Sequence, residues 1–284
     1  MTEQSGMHQL INLARFALDQ VGSDEYLRML AETRDDLERD GCAVLKGFVH
    51  PSALSRLVEG ADRVASAAHR SFNRTNVYFT KDDPSLPSDH PARQSFDRSN
   101  AFVPADNFGP NSLLRSIYEW PEFGDFIQEA LCEKHFHHYA DPLADVIINV
   151  VEEGGGFPWH FDTNNYTVTL AIQNGESGGE FCYAPWMRSP VDENIDGVAD
   201  VLAGRSDAVQ TLVLEPGDLQ IFKGRYALHR VAPVTGSRPR YVGIFSFVEE
   251  PEMVASPERC KQLYGRVLPV HYERAGHRFD ELMD

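Results

Sequence analysis

Over residues 25–39 the apolar positions Leu27, Leu30 and Leu37 recur at helical spacing, which predicts an amphipathic helix ended by Asp40-Gly41. The run "CAVLKGFV" that follows reads as a short apolar strand. "PSALSRLVEGADRVASAAHRS" then opens with Pro51 at a helix start and repeats Leu54, Leu57, Val58 and Ala61 on one face. Over residues 73–110 the periodicity dissolves into Pro, Asp, Ser and Asn, and the expectation is a long loop. "NSLLRSIYEWPEFGDFIQEALC" reads as helix, interrupted or restarted around Pro121.

After Asp141-Pro142 the pattern changes. "LADVIINVVEEGG", "NYTVTLAIQNG", "GGEFCYAP", "AVQTLVLEPGD", "LQIFKG" and "RPRYVGIFSFVEE" are short apolar or alternating runs bounded by Gly, Pro, Asn and Asp. Such spacing predicts a mainly β protein with flanking α-helices, its strands forming a sandwich or jelly-roll barrel. "VDENIDGVADVLAGRSD" is a helical or looped insertion, and the segment after Pro251 is partly helical and packs back on the barrel. There is no internal repeat. One domain over residues 1–284 is expected: helical support and an active-site loop over 1–140, the barrel over 141–250, and a C-terminal extension over 251–284.

Composition narrows the function classes. The 42% hydrophobic content supports a substantial core, and a net charge of −17 disfavours a nucleic-acid partner. No apolar run is long enough for a membrane span, and "MTEQSGMHQL" lacks the regions of a signal peptide. Cys42, Cys132, Cys182 and Cys260 form no C-x-x-C pair. A cytoplasmic protein with reduced thiols and a small-molecule substrate is the resulting expectation, with oligomeric state left open.

The candidate chemistry lies in "PWHFD". His160 and Asp162 are two residues apart, so on a strand they face one side and can share an ion. A second histidine, His229, stands just before a later strand. Two imidazoles and one carboxylate on one face of a metal leave three positions open, the arrangement suited to non-haem Fe(II) with a co-substrate and O2. Arg238 and Arg240 follow in "GSRPRYVG" and are placed to share a strand face. A guanidinium inside a barrel needs an anion, and the distal carboxylate of a 2-oxoacid supplies one. Arg93 and Arg98 in "RQSFDRSN" are candidates for a substrate carboxylate, and Trp159 is a candidate pocket wall. Asn165, Tyr166 and Gln173 are candidates for hydrogen bonds to the co-substrate. "NGESGGEF" is a turn between strands, and "HFHH" (His135, His137, His138) lacks a matching distant ligand.

Together, "WHFD…NNYTVTLAIQNGESGGEF…PGDLQIFKGRYALHRVAPV" and "GSRPR" resemble the Fe(II)/2-oxoglutarate-dependent oxygenase superfamily, over roughly residues 141–250. The sequence is particularly similar to its branch of small bacterial oxygenases and halogenases acting on free amino acids. This resemblance implies a double-stranded β-helix, also called a jelly-roll or cupin-type barrel. It implies that His160, Asp162 and His229 hold Fe(II), and that Arg240, or else Arg238, grips 2-oxoglutarate. The implied reaction is hydroxylation of an unactivated C–H bond in a small polar substrate, a free amino acid or derivative. Halogenases of the superfamily carry Gly or Ala where Asp162 stands, which favours hydroxylation here. Desaturation or cyclisation of a natural-product intermediate is a second reading, and a non-catalytic jelly-roll binding module a third.

Overall fold

The computed structural model describes residues 3–274 and 282–283; of the expected C-terminal extension, residues 275–281 and 284 lie outside the described residues. Eight α-helices occur among them: α1 (Glu3–Leu10), α2 (Asp24–Asp40), α3 (Leu54–Ala65), α4 (Leu113–Tyr118), α5 (Pro121–Leu131), α6 (Ile195–Leu202), α7 (Pro257–Tyr264) and α8 (Pro269–Glu273). The strands are β1 (Cys42–Leu45), β2 (His69–Thr75), β3 (Phe96–Val103), β4 (His137–His138), β5 (Val146–Val151), β6 (Phe157–His160), β7 (Thr167–Gln173) and β8 (Ser177–Gly178). They continue with β9 (Phe181–Ala184), β10 (Gln210–Leu212), β11 (Leu219–Phe222), β12 (Leu228–Val231), β13 (Val234–Thr235), β14 (Arg240–Phe245) and β15 (Phe247–Val248).

Two antiparallel sheets form the jelly roll. The larger runs β1-β11-β7-β14-β5-β3-β2 and the smaller β10-β9-β12-β6. Strand alternation divides the larger sheet into two faces. On the outer face, Val146, Ile148 and Val150 of β5 join Val168, Leu170 and Ile172 of β7 and Leu219 and Ile221 of β11 in the main apolar cluster. Helices α2, α3, α4 and α5 cover that face with Leu30, Leu37, Leu57, Ile117, Phe123 and Phe126. On the inner face, Asn149, Thr169, Gln220, Arg240 and Val242 turn toward a cavity. β5 is buried along its whole length, which explains its unbroken apolar run.

Local chemistry agrees with these elements. The Ser23 side chain caps α2 by accepting from the Tyr26 amide at 3.1 Å, and Tyr26, Leu30, Thr33 and Leu37 form its buried stripe. Pro121 starts α5 rather than kinking a longer helix, because its missing N–H falls where no helical partner exists.

The loop expected over residues 73–110 is partly strand. β2 and β3 pair from His69↔Phe102 to Thr75↔Phe96, and β3 then joins β5 at Phe102↔Asn149. Helix α7 packs against this ribbon. The alternation along β2 is of half-buried and exposed residues, so its sequence carries little apolar signal. The connection between the strands is anchored by Asn76, which accepts from the Tyr78 and Thr80 amides and donates to the Ala92 carbonyl at 2.6 Å.

The C-terminal helices are fastened to the barrel by one buried carboxylate. Asp141 accepts from the Leu143 amide at 2.8 Å and the Ala255 amide at 2.9 Å, and lies 3.2 Å from His271 Nε2 and 3.9 Å from Cys260 Sγ. His271 Nδ1 accepts from the Leu268 amide, so the ring proton sits on Nε2 and is donated to Asp141. Replacing Asp141 by Ala strands these buried donors. We expect a loss of about 3 kcal/mol in stability, measured as a lower midpoint of chemical unfolding.

Candidate metal centre

β6 and β12 are neighbours in the smaller sheet, and their register sets His160 directly opposite His229. The two imidazole centroids are 4.2 Å apart. His160 is the last residue of its strand and His229 lies inside β12, not before a strand as expected. Asp162 falls just beyond β6, so strand alternation is not what aims its carboxylate. Its backbone amide is held by the Gly224 carbonyl at 3.0 Å, and its Oδ2 accepts from the Thr167 hydroxyl at 2.7 Å. That leaves Oδ1 at 3.7 Å from His160 Nε2 and 3.4 Å from His229 Nε2. Gly224 is required by this arrangement, because a Cβ there would overlap the Asp162 carboxylate.

The proton inventory gives the site its character. His160 Nδ1 is 2.8 Å from the Pro158 carbonyl, and His229 Nδ1 is 2.9 Å from the Ala227 carbonyl. Carbonyls only accept, so each neutral ring carries its proton on Nδ1 and turns the bare lone pair of Nε2 inward. Three electron-rich atoms thus converge in a buried place with no proton between them, a donor set that fits a divalent cation. The Asp141–Cys260–His271 group also brings three such side chains together, but there the histidine proton points at the carboxylate and satisfies it. Burial first, then His229 and Arg98, hold the His160 imidazole well below its usual pKa, so it stays neutral. Burial pushes the Asp162 carboxyl up, and the hydrogen bond from the Thr167 hydroxyl works against it and favours the carboxylate.

The triad opens into a cavity of about 220 Å³. Arg240, at the start of β14, lines it and is buried; burial lowers its pKa to about 10, which leaves it cationic at neutral pH. No carboxylate pairs with it among the described residues. Its side chain lies along Gly179, whose Cα would carry a Cβ 3.0 Å from Arg240 Cδ and whose φ of +77° suits glycine. The "NGESGGEF" turn therefore makes room for this guanidinium.

Other sequence candidates separate. Arg98 lines the cavity, packed over the Phe79 ring at 4.4 Å and the Phe157 ring at 5.4 Å. Burial, and then neighbouring Arg259, bring its pKa down to about 9. Arg238 does not share a face with Arg240: it precedes β14 and donates to the Asn174 and Gly175 carbonyls on an exposed turn. Arg93 pairs with Asp82 at 3.1 Å and donates to the Leu86 carbonyl, outside the cavity. Trp159 packs in the apolar cluster around Phe161 and stacks with Arg230 at 4.9 Å, also outside it. Asn165, Tyr166 and Gln173 do not line the cavity; Gln173 donates to the Pro239 carbonyl and Tyr166 stacks on Phe136. His138, in the β4–β15 pair, packs at a tilt against Tyr118 and does not line the cavity.

The C-terminal helix supplies wall residues that sequence reading missed. Arg259, Leu263 and Tyr264 of α7 reach the cavity, as does Ala255 before it. Arg259 and Leu263 stand four apart on one helical face, and Ser256-Pro257 is a legible helix start. The signal for a helix was present; its docking place was not.

Residues 26–264 match the family model described as "HalD: Halogenase D". The chain belongs to the Halogenase D family. Its fold is shared with solved structures of non-heme alpha ketoglutarate dependent enzymes. No curated protein matches it in sequence. Solved structures share the fold at low identity. AviO1 from Streptomyces viridochromogenes Tue57 is 16% identical, over 78% of this chain and 95% of AviO1, with a TM-score of 0.53. The epimerase SnoN from nogalamycin biosynthesis, in complex with Fe3+, alpha ketoglutarate and nogalamycin RO, is 12% identical over 78% of this chain and 84% of SnoN, with a TM-score of 0.53. HygX from Streptomyces hygroscopicus, with nickel, 2-oxoglutarate and hygromycin B bound, is 10% identical over 78% of this chain and 90% of HygX, with a TM-score of 0.50. These likenesses bear out the double-stranded β-helix expected for this Halogenase D family chain. No helix among its described residues is long and apolar enough to cross a membrane.

Gly224→Ala forces the Asp162 carboxylate from its place. We expect Fe(II) affinity to fall by about tenfold or more in an anaerobic metal titration, with the near-UV circular dichroism spectrum retained.

Proposed function

We propose that this protein is an Fe(II)- and 2-oxoglutarate-dependent hydroxylase acting on an unactivated C–H bond of a small molecule, a free amino acid or derivative. The observation that carries the reading is the Asp162 carboxylate, whose Oδ1 meets both inward-facing imidazole nitrogens. His160, Asp162 and His229 hold the iron, and Arg240 receives the far carboxylate of 2-oxoglutarate. When bound, the iron and 2-oxoglutarate supply the oxidation, in which the co-substrate is decarboxylated to succinate and the substrate gains one oxygen atom from O2.

The chain's own residues do the positioning. The Pro158 and Ala227 carbonyls lock both imidazole rings so that Nε2 faces the site. Thr167 holds one carboxylate oxygen of Asp162 and thereby orients the other. Arg98, packed over Phe157 of the smaller sheet and beside His160, orients a substrate carboxylate. Phe102, Phe157 and Phe222 narrow the cavity and exclude water around the reacting bond.

The family description favours a second reading, halogenation. That chemistry needs a coordination position for chloride, and Asp162 supports its being filled by the chain itself. Desaturation remains a variant outcome of the same site, decided by where the substrate presents its hydrogens.

Titrating metal-free protein anaerobically with Fe(II) and then 2-oxoglutarate is expected to produce a visible metal-to-ligand charge-transfer band, absent in His229→Ala. A lack of the band in folded, iron-loaded protein overturns the assignment. Arg240→Ala is expected to raise the 2-oxoglutarate dissociation constant by roughly tenfold or more, while Arg238→Ala leaves it nearly unchanged; the reverse ranking assigns the role to Arg238. With chloride present, product mass is expected to show a gained oxygen rather than chlorine in place of hydrogen or a loss of two hydrogens. Asp162→Gly opens the coordination position, and a chloride-dependent change in the band is its expected signature.

A further inference from the structure

The residues that adjoin the metal ligands in the chain turn away from the cavity. Phe161, between His160 and Asp162, and Leu228, just before His229, enter a separate apolar cluster with Tyr78, Ala184, Met187 and Val198. The Phe161 ring stacks on that of Tyr78 at 5.6 Å, and the Phe161 amide donates to the Val77 carbonyl at 3.0 Å. A second packed layer thus lies behind the metal centre, and a charged side chain stands within it.

That side chain is Arg188, which is wholly buried. Its guanidinium lies over the Phe161 ring at 4.1 Å and over the Tyr78 ring at 5.9 Å. Its Nε donates to the Arg225 carbonyl at 2.6 Å, and its backbone amide donates to the Tyr226 carbonyl at 3.2 Å. The Arg225 guanidinium in turn donates to the Thr163 carbonyl at 3.2 Å, and neighbouring Gly224 accepts from the Asp162 amide at 3.0 Å. The segment 224–226 is therefore held between Arg188 on one side and Asp162-Thr163 on the other.

The opposite end of the guanidinium faces the start of α6 and a residue far along the chain. Nη1 of Arg188 donates to Glu193 Oε2 at 3.2 Å and to the Met283 carbonyl at 3.1 Å. Glu193 Oε1 accepts from the Met283 amide, which closes the set. Asn194 caps α6 by accepting from the Gly197 amide at 3.3 Å, and it donates to the Met187 carbonyl at 3.0 Å. A guanidinium buried among aromatic rings is costly unless its partners are fixed. Its planar fork suits stacking and several acceptors at once, which a lysine ammonium does not. Neither Arg188 nor Glu193 lines the cavity, so this network lies outside the space for ligands.

Given His160, Asp162 and His229 as metal ligands, we propose that Arg188 is a positioning residue for the metal centre. It fastens Phe161 and the 224–226 segment, which together hold Asp162, and it draws its own rigidity from Glu193 and Met283. The placement of one metal ligand thereby depends on the docking of residue 283 against the start of α6.

Arg188→Met keeps the packing over Phe161 and removes the side-chain hydrogen bonds. In an anaerobic titration it is expected to bind Fe(II) about tenfold or more weakly than the native protein. In metal-free protein it is expected to speed hydrogen exchange at the Phe161 and Asp162 amides. Val198→Ala is the control, because it thins the same apolar cluster without touching the network. It is expected to lower the unfolding midpoint and to leave both readouts near their native values. Arg188→Lys retains the ion pair with Glu193 but not the bond to the Arg225 carbonyl. Its unfolding midpoint is expected to recover while its Fe(II) affinity stays low. Unchanged Fe(II) affinity in folded Arg188→Met overturns the proposal, as does an equal loss in Val198→Ala. If the Arg188 variants do not fold, Met283→Pro carries the test by removing the amide that Glu193 accepts from. It is expected to move both readouts in the same direction, and native values in it overturn the proposal. Native protein that binds no Fe(II) removes the metal reading instead, and exchange at the Asp162 amide then decides whether Arg188 holds that loop.

Discussion

Two backbone hydrogen bonds set the terms for the rest of this site. Because the Pro158 and Ala227 carbonyls take the Nδ1 protons, His160 and His229 turn unprotonated nitrogens toward the oxygen of Asp162. Lone pairs crowded together in a buried place repel and are poorly solvated, so the arrangement is favourable only with a cation among them. The surrounding structure serves to impose it. Cross-strand register puts the imidazoles side by side, Gly224 clears the space for the carboxylate, and Thr167 holds the carboxylate in place. The contrast with Asp141 and His271 is instructive: similar side chains with the opposite ring tautomer make a hydrogen-bonded clasp.

The division of the larger sheet into two faces lets stability and chemistry coexist. Its outer face is apolar and sealed by α2 to α5, so the strands are anchored without calling on the residues that face inward. Those inward positions are free to be Arg, Asn, Gln and Thr, which would be costly in an ordinary core. The cavity is then closed by α7, fastened through Asp141 at its start. A wall built from a helix attached at one buried point is the part of the site best able to change between relatives without disturbing the barrel.

Membership of a halogenase family and possession of Asp162 point in different directions. The carboxylate is built into the site by Gly224 and Thr167, not merely present in the sequence. A family description covers the scaffold over residues 26–264, whereas the atom transferred depends on a single coordination position and on the substrate's posture.

The sequence by itself determined the helical N-terminal half, the strand-rich barrel, the β5, β7, β11 and β14 strands, and the three residues that meet at the candidate metal centre. Those features rest on local periodicity or on residue types with few other uses, and both survive in a one-dimensional record. Only the tertiary structure decided the rest. It turned the polar stretch around Arg98 into a strand by pairing it with β2, in a ribbon of half-buried and exposed residues that needs few apolar ones. It separated Arg238 from Arg240, two residues apart, because the strand begins between them and one guanidinium caps a turn while the other enters the cavity. It also brought Arg259 to a wall built largely by strands far earlier in the chain, since the docking of a helix depends on distant partners such as Asp141 and leaves no periodic trace of where it will land.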